Sequence, residues 1–383
     1  MAHQFDVPTN RLYQIRDELL RKHIPLTDLI SGNVNSQGII FPLSCLQKAM
    51  AAGTRTSQIY RPNPLGQPVA RQAIARFYAK AGLQIPIEQI LLTPGTSMSY
   101  WYAFKLLADA GDEILAPVPS YPLFDSIAAL CGVKLIPYRL REAARWEIDF
   151  SSMEAAITSR TKAIVLISPH NPTGAVATEE EVQVIADMAT HRGLAIISDE
   201  VFSSFLFNRS TLPRPAMTKA PLVITMNGLS KMLALPGMKI GWMAISGEKA
   251  RVRTATKTLE MISDTFLPVN EPAQFSLPEI FKGSTVFQKK YVAIVQNRMA
   301  MAMDSLKEIL NVSFIRPEGG FFVTVRLVGE KADEEKATEY LLEKYRILVH
   351  PGYFYDMEGQ HVVFSFVSRP GVLRSALKCL SKI

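Results

Sequence analysis

Residues 163–200 read AIVLISPHNPTGAVATEEEVQVIADMATHRGLAIISDE, and this stretch decides the fold. Its apolar runs, 163–167 and 194–197, are short and rich in Ile, which is typical of strands buried on both faces. Between them, Thr178 and Glu181 fit a capping box that starts a helix, and a glycine fits the end of that helix. A strand, a helix and a strand at this spacing predict a parallel sheet.

The pattern extends outward from this unit. Residues 115–118 and 222–225 are further short apolar runs and predict more strands of the same sheet. The two ends of the chain differ from the middle, because helical patterns there alternate with only a few strands. These outer patterns are helices at 10–22 and 284–310 and strands at 313–315, 321–327 and 362–367.

We therefore predict an α/β fold with two lobes. The large lobe, residues 46–275, has a mostly parallel central sheet flanked by helices. The smaller lobe is α+β and is formed by both ends of the chain, residues 1–45 and 276–383.

Composition excludes several classes of protein. Of the 383 residues, 48% are apolar and 20% are charged, which excludes a disordered chain. The formal net charge of +7 is spread along the sequence, so we expect no nucleic-acid partner. We see neither a signal peptide at the start nor an apolar run long enough for a membrane span. Three scattered cysteines and six histidines without metal-ligand spacing predict a cytoplasmic protein with no metal site.

Polar residues follow the predicted strands, where ligands of open α/β sheets bind. Asn171, Asp199 and Lys231 follow three of the apolar runs, and Gly95-Thr96-Ser97 precedes a helical pattern. A lysine can form a Schiff base with an aldehyde cofactor, and a carboxylate can keep a pyridine nitrogen protonated. A helix N-terminus binds phosphate. Each signal is weak alone, but together they match one chemistry.

In their order along the chain, these motifs resemble those of the class I/II aminotransferases, the fold-type I enzymes that use pyridoxal 5'-phosphate (PLP). The resemblance covers nearly the whole chain. It is carried by Tyr60 with Gly66 and Arg71, Gly95-Thr96-Ser97, Pro119-Ser120-Tyr121-Pro122, His170-Asn171-Pro172-Thr173-Gly174, Asp199-Glu200-Val201, Ser230-Lys231, Pro236-Gly237-Met238-Lys239-Ile240-Gly241-Trp242, Pro317-Glu318-Gly319-Gly320-Phe321 and Pro351-Gly352.

The resemblance implies roles for matching residues. Lys231 resembles the lysine that forms the Schiff base and later carries a proton between the substrate Cα and the cofactor. Asp199 resembles the partner of the pyridine nitrogen, which stabilises a quinonoid. Asn171 matches the donor to the ring oxygen O3' and a contact of the substrate. Tyr121 matches an aromatic residue that stacks on the ring and serves as a catalytic residue.

The resemblance also implies ligands for the two ends of the bound molecules. The phosphate would be held by Gly95, Thr96, Ser97, Ser230 and Lys239, and by Tyr60 of a neighbouring subunit. That role of Tyr60 implies a homodimer with shared active sites. Gly32 and Asn33, in an unusual loop near the N-terminus, are expected to contact the substrate.

Four positions depart from the family pattern. Lys239 stands where an arginine usually binds phosphate, and Gly228 replaces a serine. Phe202 replaces a tyrosine whose hydroxyl reaches O3'. Val363 stands where an arginine usually holds the substrate α-carboxylate, and valine cannot bind a carboxylate. The substrate is therefore either an amino acid held in another way or an amine without that carboxylate.

The sequence thus predicts a PLP-dependent aminotransferase that moves an amino group between an amine or amino acid and an oxo-acid. A lyase on the same scaffold, either a C–S β-lyase or a decarboxylase, is the main alternative. A protein that keeps this fold as a sensor without turnover is a further alternative, and the intact Lys231, Asp199 and Asn171 argue against it.

Overall fold

The structure is a computed structural model that describes residues 10–266, 269–330 and 332–383. Its helices are α1 Arg11–Arg21, α2 Leu43–Thr56, α3 Pro68–Lys80, α4 Thr96–Leu107, α5 Leu123–Cys131, α6 Phe150–Ala156, α7 Glu179–Arg192, α8 Leu229–Met232, α9 Lys249–Phe266, α10 Glu271–Gly283, α11 Thr285–Lys307, α12 Glu334–Tyr345 and α13 Pro370–Leu380. Its strands are β1 Thr27–Asp28, β2 Ile90–Thr93, β3 Glu113–Val118, β4 Lys134–Glu142, β5 Trp146–Ile148, β6 Thr161–Ile167, β7 Ala195–Asp199, β8 Leu222–Gly228, β9 Gly241–Gly247, β10 Val312–Phe314, β11 Phe322–Leu327, β12 Ile347–Leu348, β13 His350–Pro351 and β14 His361–Ser365.

A central sheet of eight strands runs in the order β2-β9-β8-β7-β6-β3-β4-β5. The pairs from β8 through β7, β6 and β3 to β4 are parallel, whereas β9 and β5 pair antiparallel with their neighbours. Apolar clusters cover both faces of this sheet. The predicted α/β fold with a mostly parallel sheet and flanking helices is confirmed.

The unit at 163–200 folds as predicted. Strands β6 and β7 flank helix α7, and they pair in parallel. The Thr178 hydroxyl accepts the N–H of Glu181 while the Glu181 carboxylate accepts the N–H of Thr178, so the capping box is formed. Gly193 ends the helix in the left-handed conformation, with φ 68°. Local sequence signals are sufficient to predict this helix, because its apolar periodicity and the capping signals at both ends indicate the same helix.

A smaller α+β part contains the four-stranded sheet β10-β11-β14-β13 and the parallel pair of β1 with β12. Helices α11 and α13 pack with this sheet around a separate apolar core. The pairing of β1 with β12 joins the beginning of the described chain to its last third. The division into residues 46–275 and residues 1–45 with 276–383 stays a prediction, and residues 1–9, where we expected no signal peptide, lie outside the described ranges.

Within the described residues, no helix is long and apolar enough to cross a membrane. In the same residues, no three or more His, Cys, Asp or Glu side chains are arranged to hold a metal ion.

We expect Thr178→Ala to lower the free energy of unfolding by about 1 kcal/mol, because it removes the acceptor of the capping box. Denaturant titration of the purified protein measures this change. Thr178→Ser keeps the hydroxyl and should stay close to the wild type. Equal stability of the alanine and serine variants would contradict the assigned capping role.

Candidate active site

Three parallel strands end side by side, so the polar residues that follow them meet at one edge of the sheet. Ile167 on β6 lies opposite Asp199 on β7, and Asp199 lies opposite Met226 on β8. A cavity of about 920 Å³ opens at this edge. The residues predicted from sequence that line it are Gly32, Gly95, Thr96, Ser97, Tyr121, Asn171, Asp199, Ser230, Lys231 and Lys239.

Lys231 lies on the short helix α8, directly after β8. Its Nζ donates to the carbonyl oxygen of Gly32 at 3.4 Å. Burial lowers the pKa of Lys231, and no charged group of the described residues offsets that effect. A Cβ at residue 32 would lie 2.9 Å from Nζ, so glycine allows the N-terminal loop to approach the amine. The site therefore favours a neutral amine, the form that acts as a nucleophile.

Asp199 ends β7 and is buried. Its Oδ2 accepts the hydroxyl of Tyr100 at 2.8 Å, and its Oδ1 accepts the N–H of Val201 at 3.0 Å. Burial raises the pKa of Asp199, while the hydrogen bonds from Val201 and Tyr100 lower it. Burial and the charge of Asp199 raise the pKa of Tyr100, which therefore stays a hydrogen donor. The two donors hold the carboxylate in one orientation toward the cavity.

Asn171 follows β6 and lines the cavity. Its buried Oδ1 has no hydrogen-bond partner among the described residues. The neighbouring His170 is buried outside the cavity lining, and its Nδ1 pairs with the Thr173 hydroxyl at 2.9 Å. Burial lowers the pKa of His170 to about 3, so this histidine is a neutral part of the loop. An unpaired buried amide is costly in a folded protein, and it is a candidate contact for a ligand.

The N-terminus of α4 faces the same cavity. Gly95 has φ 125°, a conformation that favours glycine, and the N–H groups of Thr96 and Ser97 that follow have no partner within the helix. A Cβ at Gly241, the first residue of β9, would lie 3.0 Å from the Thr96 nitrogen. Glycine at 241 thus lets β9 pass close to this helix end. Free N–H groups and the helix dipole form an anion site here.

Two of the departures from the family pattern have packing explanations. A Cβ at Gly228 would lie 2.9 Å from the carbonyl oxygen of Ile240, the residue directly before β9, so a serine does not fit without a shift. Phe202 is buried, with its ring centroid 4.9 Å from that of Phe321 and 5.9 Å from Lys231 Nζ. This ring closes one wall of the cavity with an apolar surface.

Two residues predicted as ligands do not line the cavity. Asn33 is absent from the cavity lining, and its side-chain oxygen accepts the N–H of Asn35 at 3.2 Å. This hydrogen bond stabilises a turn of the loop. Gly32 lines the cavity and Asn33 does not, and a substrate contact of Asn33 stays a prediction. Tyr60 lies between α2 and α3 with 69% of its surface exposed, away from the cavity.

The position of the expected carboxylate-binding arginine is part of the core. Val363 is 1% exposed and packs with Trp146, Tyr355 and Met357. Arg369 does not replace the arginine, because its guanidinium lies beside Gly38. Among the described residues, no arginine lines the cavity.

The sequence analysis missed four polar residues of the cavity, namely Tyr13, Tyr100, His350 and Tyr355. A signal existed for Tyr100, which lies one helical turn after Thr96 and therefore on the same face of α4. No local signal existed for Tyr13 and His350, because they are 337 positions apart in sequence.

Comparison with known proteins agrees with this geometry. The family "Aminotransferase class I and II" matches residues 25–370. Glutamate-pyruvate aminotransferase AlaA of Escherichia coli K12 is 30% identical over 288 residues, which cover 73% of this chain and 71% of that protein. Alanine aminotransferase of Mycobacterium tuberculosis H37Rv is 29% identical over 290 residues, covering 74% and 67%.

Solved structures share the fold over the whole chain. An aminotransferase from Escherichia coli superposes with a TM-score of 0.90 at 26% identity, covering 99% of this chain and 95% of that one. Alanine aminotransferase from Pyrococcus furiosus gives a TM-score of 0.89 at 27% identity, with 98% of each chain covered. From the family match, the shared fold and the residues gathered at the sheet edge, the chain belongs to the class I and II aminotransferases, a family of PLP-dependent enzymes.

Proposed function

We propose that this aminotransferase holds PLP covalently on Lys231 and transfers an amino group between an amine or amino acid and an oxo-acid. The observation that carries the proposal is the half-buried Lys231 amine, whose pKa is lowered by burial, in one cavity with the buried Asp199 carboxylate. The known activities of its relatives, glutamate-pyruvate and alanine aminotransferases, support the same reaction class.

The residues present fit PLP. The unpaired Asn171 Oδ1 shows that this side chain is available to a ligand, and a flip of the amide would offer its N–H to the ring oxygen. The N–H groups of Thr96 and Ser97 would hold the phosphate, with the Ser230 hydroxyl and the Lys239 ammonium. Lys239 neutralises charge but lacks the two-pronged geometry of arginine.

When bound, PLP supplies an aldehyde carbon for the covalent link and a ring that delocalises the electrons of a substrate carbanion. Asp199 would face the ring nitrogen of bound PLP and would hold a proton there. Tyr100 donates to Asp199 Oδ2, which orients this carboxylate and favours its ionised form. Tyr121, 45% exposed and lining the cavity, would cover one face of the ring.

Lys231 also moves a proton. With PLP bound, the Lys231 amine would accept the proton that leaves the substrate Cα and would deliver it to the cofactor. This transfer needs an unprotonated amine, and burial favours that form by lowering the pKa. Phe202 adds no hydroxyl to the site, so the ring oxygen relies on Asn171.

We further propose a homodimer in the cytoplasm. Ile40, Leu43, Ile59 and Tyr60 are all more than half exposed, and apolar surface of this kind is typical of protein contacts. A partner seated there would carry its own Tyr60 toward the phosphate of this subunit. The three cysteines are free, which supports a reducing compartment.

A nitrogen-15 experiment tests the function. The purified protein is mixed with PLP, labelled amines or amino acids, and an oxo-acid, and products are followed by NMR. We expect the label to appear in the amino acid derived from the oxo-acid. Release of the label as ammonia would instead indicate a lyase and would overturn the proposal.

Lys231→Ala should reduce turnover by at least about a hundredfold, because it removes both the covalent link and the proton carrier. Borohydride reduction followed by peptide mapping should attach the pyridoxyl label to Lys231 in the wild type and to no lysine in the variant. Lys219→Ala, at an exposed lysine, is the control and should keep both turnover and label. A labelled lysine elsewhere would contradict the assignment.

Tyr100→Phe should shift the acid side of the rate–pH profile to higher pH. The Tyr100 hydroxyl lowers the pKa of Asp199, so its loss raises that pKa and the carboxylate loses its charge at a higher pH than in the wild type. We also expect a drop of about tenfold in kcat/KM. Tyr138→Phe removes another buried phenol bond, to the Val165 carbonyl, and is the control that should leave the profile in place.

A further inference from the structure

Three neutral polar side chains line one end of the cavity, although they come from distant parts of the chain. Tyr13 lies on α1, His350 on β13, and Tyr355 in the turn that follows β13. The Tyr13 hydroxyl is 2.8 Å from His350 Nε2, and the Tyr355 hydroxyl is 3.0 Å from His350 Nδ1. We name Tyr13, His350 and Tyr355 the phenol–imidazole cluster.

The phenol–imidazole cluster is held in place by packing. The Phe354 ring lies 4.9 Å from His350 and 5.7 Å from Tyr13, measured between centroids. His350 lies opposite Val363 in the antiparallel pair of β13 and β14. Opposed residues of such a pair share one face of the sheet, so His350 stands beside the position where the family has its arginine. At this position of the sheet, the polar side chain of His350 therefore lies next to Val363 and not next to an arginine.

The phenol–imidazole cluster is uncharged near neutral pH. Burial, with the charge of Arg16, lowers the pKa of His350 to about 4. Burial raises the pKa of Tyr13 and of Tyr355. A neutral imidazole has one N–H and one lone pair, so one phenol donates to the ring and the other accepts from it. The accepting phenol keeps a free O–H, which it can offer to a ligand.

The cavity lining provides little for a substrate carboxylate. Arg16 lies over the Tyr13 ring, with Cζ 4.3 Å from the centroid, but it is paired with Asp17 at 2.7 Å and does not line the cavity. Among the described lining residues, the only permanent cations are Lys231 and Lys239. Both belong to the cofactor in the proposed function. A carboxylate that leaves water without a cation partner loses most of its favourable hydration free energy. A hydroxyl loses much less, and it can both accept from and donate to the phenols.

We propose that the phenol–imidazole cluster is the substrate-recognition site of this enzyme, and that it selects substrates with a hydroxyl where an amino acid has its α-carboxylate. The preferred donors are therefore amino alcohols, and the preferred acceptors are hydroxy-carbonyl compounds. This inference rests on the proposed function and names the substrate class of the same site.

The reaction balances for the simplest such donor, alaninol. Its C–N bond is replaced by a carbonyl whose oxygen comes from water, which gives hydroxyacetone. The nitrogen passes to the acceptor, whose carbonyl oxygen leaves as water. The hydroxyl of the donor is unchanged and serves only in binding.

The test compares matched pairs on the PLP-loaded enzyme. Stopped-flow absorbance measures the half-reaction with alaninol or alanine, and the reverse half-reaction with hydroxyacetone or pyruvate. In the wild type, we expect the hydroxyl compound to react with a second-order rate constant at least about tenfold larger in each pair. A rate constant for alanine equal to or above that for alaninol overturns the inference.

Variants that lack a single hydroxyl locate the selectivity. Tyr13→Phe and Tyr355→Phe should each lower the alaninol rate by about tenfold and leave the alanine rate within about twofold. Tyr353→Phe is the control, because Tyr353 lies in the same turn as Tyr355 but its hydroxyl donates to Glu335 on α12 at 3.3 Å. The ratio of the alaninol rate to the alanine rate in this variant should match the wild type. An equal loss for both donors in the cluster variants overturns the recognition role.

A binding measurement gives a readout without turnover. We expect isobutanol, which cannot react, to shift the His350 ring signals in NMR at lower concentration than isobutyrate; the reverse order overturns the inference. Borohydride labelling separates the two proposals. Label on Lys231 with alanine preferred refutes only the substrate class, whereas an unlabelled Lys231 refutes the proposed function as well.

Discussion

The partial burial of a lysine amine, in a cavity that also contains a buried carboxylate, is the constraint on which this site depends. Lys231 reaches the cavity at the end of β8, and its Nζ donates to the carbonyl oxygen of Gly32 in the N-terminal loop at 3.4 Å. The cost of burying a charged amine is avoided when the amine is neutral. The site thus favours the neutral, nucleophilic form of the Lys231 amine. The end of β8 and the N-terminal loop position this amine.

The carboxylate of Asp199, also in this cavity, has different hydrogen-bond partners from the Lys231 amine. Asp199 is buried too, but Tyr100 and the N–H of Val201 donate to its two oxygens and support the ionised form. At the same sheet edge, burial thus lowers the pKa of Lys231 and raises that of Asp199, and hydrogen bonds from Val201 and Tyr100 partly offset the effect on Asp199. Two hydrogen-bond donors favour the ionised form of the carboxylate, whereas the amine has a single long bond, of 3.4 Å, to the carbonyl oxygen of Gly32 as acceptor.

The proposed substrate-recognition site differs from both Lys231 and Asp199, because the phenol–imidazole cluster offers hydrogen-bonding groups without formal charge. The phenol–imidazole cluster stands beside Val363, where the family pattern has an arginine. Replacement of a guanidinium by phenols changes recognition from charge to hydrogen bonding. Specificity in such a site depends on leaving no polar group unpaired when the correct substrate binds.

The sequence by itself determined the α/β fold, the unit at 163–200 and the set of Lys231, Asp199, Asn171 and the α4 N-terminus. These features rest on local patterns and on the rule that parallel strands present their ends at one edge. Only the tertiary structure decided the use of Asn33 in a turn, the burial of Val363, the Tyr100–Asp199 bond and the meeting of Tyr13 with His350. Contacts between residues hundreds of positions apart depend on how helices and strands pack, and no local pattern records that packing.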